Sequence, residues 1–530
     1  MTTATPYRSP LRAGRDGFGQ LLHAEWTKFR TVRGWVIGMI VAILVTAGLG
    51  LLAAKASANP SCTTQTSSGQ QGPVQHGAAC GGPTFPLGPN GVPVKDEFYF
   101  VRQPLVGNGS ITVRVTALTG TAPGPGGQFV LPPWSKAGII IKDGTSQGSA
   151  YAAMMATGGN GVRMQWNYTG DTAGLPGVVS AASPRFLRLS RDGDTITGYD
   201  SADGAHWTRV GTVALAGLQS TVQAGLFVAS PNYTVYSASL GSGSESSSGT
   251  RSTAVFDDVS RTGTWPASAW TGGYVGGGGL EGGPGNDGYH QAAGQFTVTG
   301  SGDIAPLITG ALGDGPNITI RDYLIGTFAG LIAVAVVATM FMTSEYRRGL
   351  IRTTLAASPH RGRVLAAKAI VIGSAAFVVG LAAAAGAVIG GKEVARGTPV
   401  FPEPWPTELR IIVGTAALVA VAAVLTLAVA TIVRRSATAI LIVIVILVIP
   451  DVLSFPPGLP TGVTDWLLRV TPAAALALQQ PAPQYHQVQA NYIPSSGYYP
   501  LGPWTGFAVL CAWTVLALAA AVYLLRRRDA

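Results

Sequence analysis

Charge is scarce in this 530-residue chain: Asp, Glu, Lys and Arg together make up 11% of it, against 47% hydrophobic residues. So little charge cannot clothe one large water-soluble core, so much of the apolar surface must face lipid. Cysteine is limited to three residues, which excludes a disulfide-framework fold, and no paired-Cys metal motif exists. The six histidines are scattered, with no His-Glu-x-x-His sequence. A complete phosphate loop is also missing. Gly386 to Glu393 has the Gly and Lys spacing, but Glu393 stands where a Mg-binding hydroxyl belongs, and the run continues an apolar helix. Glycine is abundant, at 71 residues, yet follows no three-residue period, so a collagen-like chain is excluded.

Long apolar runs are what the chain does have. Six windows approach the roughly 20 residues that a helix needs to cross a hydrocarbon core about 30 Å thick. They are Gly34 to Ala54, Leu324 to Met342, Ala369 to Ile389, Ile411 to Val433, Ala439 to Leu453 and Thr505 to Leu525. The fifth is the weakest, because Pro450 and Asp451 interrupt its end. With the N-terminus inside, the inner segments hold 17 of the 35 Lys and Arg in about 70 residues, beside only Asp16, Glu25, Glu345 and Asp529. The net charge of +10 is therefore largely topological, which argues against nucleic acid as a partner and places both termini in the cytoplasm. Ala56-Ser57-Ala58 has the small residues of a signal-cleavage site, but the apolar run before it is too long for a signal sequence and follows 33 residues. A retained span is expected.

The expected organisation is a cytoplasmic segment (1–33), a first span (34–54), an extracellular linker (55–95), a β-sandwich (96–260), a Gly-rich stalk (261–322), and the remaining spans (323–530) with an inner loop at 343–368. Cys62 and Cys80 in the linker are candidates for a disulfide, the alternative being two free thiols; Cys511 reads as a small packing residue. The sandwich rests on short β-branched or alternating runs separated by turns, with Asp192-Gly193 and Asp203-Gly204 as the sharpest hairpin signals. Trp166, Tyr168 and Trp207 are candidates for stacking on sugar rings, weighed against core packing. The sandwich lacks the paired glutamates that glycoside hydrolysis uses, since Glu97 and Glu245 stand at its opposite ends.

Two inner segments are more specific. Phe18, Leu22, Trp26 and Phe29 recur at helical spacing, with His23, Lys28, Arg30 and Arg33 on other faces, as in a helix lying on a membrane surface. After the second span, Ser344 is an N-cap candidate and Pro359 an end signal. A helix between them is expected to expose Glu345, Arg348 and Arg352 on one side, with Tyr346 and Leu350 facing membrane or partner.

Two resemblances emerge from these residues. The runs Trp134 to Asp143, Leu187 to Gly193, Tyr199 to Trp207 and Ala224 to Val228 resemble, in order, the concanavalin A-like (laminin-G-like) jelly roll, whose members often bind glycans. The segments Ala24 to Arg33, Ser344 to Leu355 and Arg361 to Lys368 resemble the permease subunit of type II ABC exporters, in actinobacterial style. That second resemblance implies an elbow helix containing Glu25, Trp26, Lys28, Phe29 and Arg30. It further implies a coupling helix in which Glu345, Tyr346, Arg347, Arg348, Gly349, Ile351 and Arg352 contact a separate ATPase, which holds the ATP and Mg; this chain would bind no cofactor. A second permease copy, or a homologous permease, completes such an assembly in the plasma membrane. A large outer loop between the first two spans departs from the family pattern and leaves the substrate open. The expected fold is thus a six-helix transmembrane domain carrying an extracellular all-β jelly roll, and the expected function is transport, probed against the alternative of a membrane-anchored glycan receptor.

Overall fold

The computed structural model of the chain describes residues 17–58, 85–120, 122–123, 129–239, 242–276, 287–309, 318–347, 360–396, 398, 400–454, 461–490 and 492–527. Among these, five helices are long and apolar enough to cross a membrane. They are the first span Arg33–Ala58, the second Thr327–Arg347, the third Arg361–Val394, the fourth Trp405–Val433 and the last Pro503–Arg527. A shorter helix, Phe18–Thr31, the interfacial helix of the sequence expectation, precedes the first, and extended Val32 breaks the two apart. Small residues let the spans approach closely: a Cβ on Gly380 would stand 2.9 Å from the Cα of Ala416 in the fourth span. The Gly386 to Glu393 run lies inside the third span, so its backbone amides are committed to the helix.

The fifth window departs from expectation. Its helix, Ser436–Leu447, has 12 residues and a length of about 18 Å, short of the hydrocarbon thickness. Helix resumes only as the single turn Ile449–Val452, with Pro450 at its start. Buried Asp451 explains what that break achieves: its carboxylate accepts a hydrogen bond from Tyr499 Oη at 2.9 Å, and Arg321 Nη2 donates to the same hydroxyl at 2.9 Å.

The β-rich part is a strongly bent sheet built on one 23-residue strand, Phe98–Gly120. Its first half pairs with Thr221–Ala229 and Thr271–Val275, and its second half with Arg185–Asp192 and Ser252–Thr264. The change falls around Gly107, whose φ of 65° suits a residue without a Cβ. Turns at Asp192-Gly193 and Asp203-Gly204 link Arg185–Asp192, Thr195–Ser201 and Thr208–Ala214 as successive antiparallel neighbours.

Strands Lys136–Lys142 and Tyr151–Thr157 are buried on both faces, so neither shows the alternation of a half-exposed strand. Ile139 and Ile141 point into one core with Met154, Leu187 and Leu226. Ile140, between them, points into another with Phe98, Tyr151 and Phe227.

The Gly-rich stretch 261–322, expected as a stalk, instead adds strands to the sheet. Thr271–Val275 pairs with the long strand and Gln295–Gly300 pairs with Ser252–Thr264. Phe296 and Val298 fill the core, and Trp270 packs edge-on against Phe296 at 5.4 Å, so few apolar residues suffice when a core already exists to receive them.

The sheet's entry and exit are neighbours. Val94–Asp96 pairs antiparallel with Ile304–Pro306, bringing the two connections to the spans side by side. Both strands are held by ion pairs from the ends of one buried strand: Lys142 Nζ to Asp96 at 2.7 Å, and Lys136 Nζ to Asp303 at 2.5 Å. Their even spacing along that strand puts both lysines on one face.

Candidate functional site

Where the interfacial helix meets the second and third spans lies a cluster of four charges, three of them buried. The interfacial helix places Glu25 and Phe29 on its inward face, one turn apart, while Phe18 and Trp26 stay exposed toward the surroundings. Lys368, two turns into the third span and fully buried, donates to Glu25 Oε2 and to Glu345 Oε1, each at 2.7 Å. Lys28 donates to the other oxygen of Glu25 at 3.1 Å and to Glu345 Oε1 at 2.5 Å. Two cations and two anions balance, and three separate helices are pinned at one point. Breaking that balance from either side leaves an uncompensated buried charge.

Aromatic rings wall the cluster. Lys368 Nζ stands 4.8 Å from the centroid of Phe341, whose ring meets Phe29 and Trp35 edge-on at 5.8 and 5.0 Å. The cation, itself closed to solvent, thus gains a π face as well as two carboxylates.

The exposed position expected of Glu345 is therefore corrected: it is 2% exposed and faces inward. The reason is that the second span continues to Arg347, so Glu345 belongs to its last turn and meets Lys368 across the bundle. Tyr346 packs beneath Arg434, whose guanidinium carbon lies 5.1 Å from the ring centroid. Arg347 ends the described helix; Arg348, Gly349, Ile351 and Arg352 lie outside the described residues, as do Cys62 and Cys80. Of the interfacial-helix residues, Glu25, Lys28 and Phe29 join the cluster, and Trp26 and Arg30 do not. Lys368 was the member that sequence reasoning did not select. Its signal was a lone cation flanked by Ala366, Ala367 and Ala369, a setting in which a charge needs a partner.

The candidate sugar-stacking residues are not brought together as an open platform. Tyr168 is 1% exposed, and its hydroxyl donates to Asp96 at 2.7 Å. Trp166 is half-buried against the core. Trp207 donates its indole N–H to the Gly204 carbonyl at 3.0 Å, and the Arg188 guanidinium covers one face at 3.9 Å from the centroid. Among the described residues there is no group of three or more His, Cys, Asp or Glu able to hold a metal ion.

At the opposite end of the helices, the sheet is seated on the loop before the last span. Gln487 Nε2 donates to the carbonyls of Tyr168 and Thr169 at 3.2 and 3.3 Å. The Thr309 amide donates to Tyr498 Oη at 3.0 Å, and Leu307 and Ile308 pack with Phe401, Ala482 and Tyr498. No sequence pattern announced this contact.

Beside it, in the loop before the fourth span, burial pushes the Glu403 carboxyl up to about 8; the Ile320 N–H, which donates to Glu403 Oε1 at 3.4 Å, and Lys392 only partly oppose this. A folded-state value above the unfolded one means that the folded chain holds the extra proton. This contribution to stability is fully present below the ordinary carboxylate range and is lost as pH rises through about 8. Thermal unfolding followed at several pH values is expected to show the wild type losing more stability between pH 5 and 8 than Glu403→Gln; parallel profiles would refute the assignment.

Comparison with known proteins adds one family. The model described as ABC-2 family transporter protein matches residues 186–530. No curated protein matches the chain. Similar solved structures include a functionally unknown protein from Saccharomyces cerevisiae, at 14% identity over 34% of this chain and 83% of that one, with a TM-score of 0.22. The GH43 protein BlXynB from Bacillus licheniformis has 18% identity over 23% of this chain and 24% of its own, with a TM-score of 0.16. Scytalido-glutamic peptidase has 9% identity over 40% of this chain and all of its own, with a TM-score of 0.24. At such scores these likenesses carry no argument about what the chain does.

Proposed function

The chain belongs to the ABC-2 family of transporters, and on that premise we propose that it is the permease subunit of an exporter driven by a separate ATPase. It is a multi-pass membrane protein with a large β-sandwich, and an ABC permease works with an ATPase partner. The observation that carries the finer reading is the four-charge cluster. It joins the interfacial helix, the second span and the third span immediately beside the segment 348–359 that links those two spans.

In this reading Tyr346, Arg347, Arg348, Gly349, Ile351 and Arg352 form the contact with the ATPase, and the Glu345–Lys368 pair is the anchor behind it. A push on the link moves the ends of two spans and the interfacial helix together, because buried opposite charges resist separation. Positive charge gathered at the cluster's end of the helices supports a cytoplasmic location for that end and for both termini. The sandwich then lies outside, as a concanavalin A-like jelly roll seated on the transporter's outer mouth.

Charge reversal tests the contact without touching the buried cluster. Arg348→Glu/Arg352→Glu is expected to lower transport-coupled ATP hydrolysis at least tenfold while leaving thermal unfolding of the isolated chain unchanged. Full coupling in that variant would move the contact elsewhere.

A further inference from the structure

The inner ends of the third and last spans leave a surface pocket of about 630 Å³ lined by His360, Arg361, Gly362, Arg363 and Arg526. Three guanidinium groups and an imidazole meet there, and no acidic side chain lines it among the described residues. Arg361 Nη1 donates to the Leu525 carbonyl, tying the two helix ends into one rim. Arg363 and Arg526 are exposed, and neither makes an ion pair among the described residues. The like charges of Arg363 and Arg526 repel one another, and an anion entering the pocket relieves that repulsion.

Depth selects the kind of anion. The third span has 34 residues and is about 50 Å long, so it outreaches a hydrocarbon core of about 30 Å and is long enough to carry its first turn into the headgroup layer. On the last span, exposed Tyr523 stands one turn before the pocket's Arg526, with Arg527 folded over its ring at 4.6 Å to the centroid. An exposed tyrosine next to terminal arginines marks the membrane–water boundary. Gly362 leaves the floor open: a Cβ there would meet only Val522, at 3.9 Å. His360 makes no side-chain cap on the helix, so the first-turn amides add their partial positive charge to the same opening.

We propose that this pocket binds the phosphate of an anionic phospholipid headgroup, held by Arg363 and Arg526 with Arg361 fixing the rim. Arginine forks match phosphate oxygens in pairs, and basic pockets between span ends on the cytoplasmic side suit such headgroups. The site lies apart from the four-charge cluster and does not depend on transport.

The test is native mass spectrometry of the full-length chain titrated with phosphatidylglycerol or phosphatidylcholine, on wild type, Arg363→Gln/Arg526→Gln, and Arg435→Gln as a basic control at another inner position. Wild type and the control are expected to retain phosphatidylglycerol at least tenfold better than the double variant. Phosphatidylcholine retention should be equal in all three, and Arg363→Lys/Arg526→Lys should restore part of the difference. Equal retention of phosphatidylglycerol by wild type and the Gln variant overturns the proposal. So does displacement of the lipid by millimolar inorganic phosphate, which would make the site one for a soluble anion. Loss of a bound ATPase subunit from the Gln variant with lipid retention unchanged would overturn it in favour of a protein contact.

Discussion

Lys368→Met is expected to lower the stability of the chain by about 3–5 kcal/mol and to abolish coupled transport. The side chain is fully buried, and its removal takes one donor from Glu25 and one from Glu345. Lys28, about a third exposed, is then the only cation among the described residues that faces the two buried carboxylates. Because the loss arises from charge imbalance, restoring neutrality should recover much of it. Lys368→Met/Glu345→Gln, which leaves Glu25 with Lys28, is expected to unfold at a temperature nearer the wild type than either single change. Lys368→Met as stable as wild type in detergent would mean that the cluster is not a structural anchor. Additive effects in the double variant would mean that the two residues do not act as a pair.

Asp96→Asn should have an effect of similar size on the sandwich. Lys142 is closed to solvent and donates to Asp96 Oδ2, the Ser149 carbonyl and Tyr168 Oη at 2.7 to 3.0 Å. Burial holds the Lys142 ammonium below its usual range, and Asp96 is the charge that chiefly opposes this. Neutralising Asp96 therefore strands a cation in the core, at a cost of about 3–5 kcal/mol. It also loosens the entry strand Val94–Asp96, which is half of the connection between sandwich and spans. Limited proteolysis of the full-length protein is expected to cut the sandwich of Asp96→Asn far faster than that of the wild type. Asp96→Asn/Lys142→Met, which removes both charges, should regain most of the resistance, as apolar replacement of a whole buried pair is often neutral. Equal cutting of wild type and Asp96→Asn would show that the pair adds little.

Hydropathy was enough to find the five long spans, since only a helix satisfies its own backbone over that length in lipid. The fifth window shows the limit: Pro450 and Asp451 read as a weakness, whereas Asp451 is bonded to Tyr499, 48 residues away. Sequence spacing also drew attention to the two segments that hold Lys28 and Glu345, which the structure joins with Glu25 in one cluster. It assigned Glu345 to an exposed face because local periodicity cannot reveal a partner such as Lys368 on another helix. The same blindness to distant partners turned 261–322 into a stalk, when Phe296 and Val298 had a core waiting for them. Nothing local in Gln487 or Tyr498 marks them as the sandwich's seat, for their partners are carbonyl and amide groups that every sequence has.

The most direct measurement is isolation of the full-length chain from native membranes under conditions that preserve complexes, with identification of its stoichiometric partner and assay of ATP hydrolysis. The expected result is a separate polypeptide carrying a complete phosphate loop, recovered with the wild type and hydrolysing ATP, with that activity uncoupled from transport in Arg348→Glu/Arg352→Glu. Recovery of an intact, folded chain with no nucleotide-binding subunit and no associated ATP hydrolysis would contradict the assignment as an ATPase-driven permease.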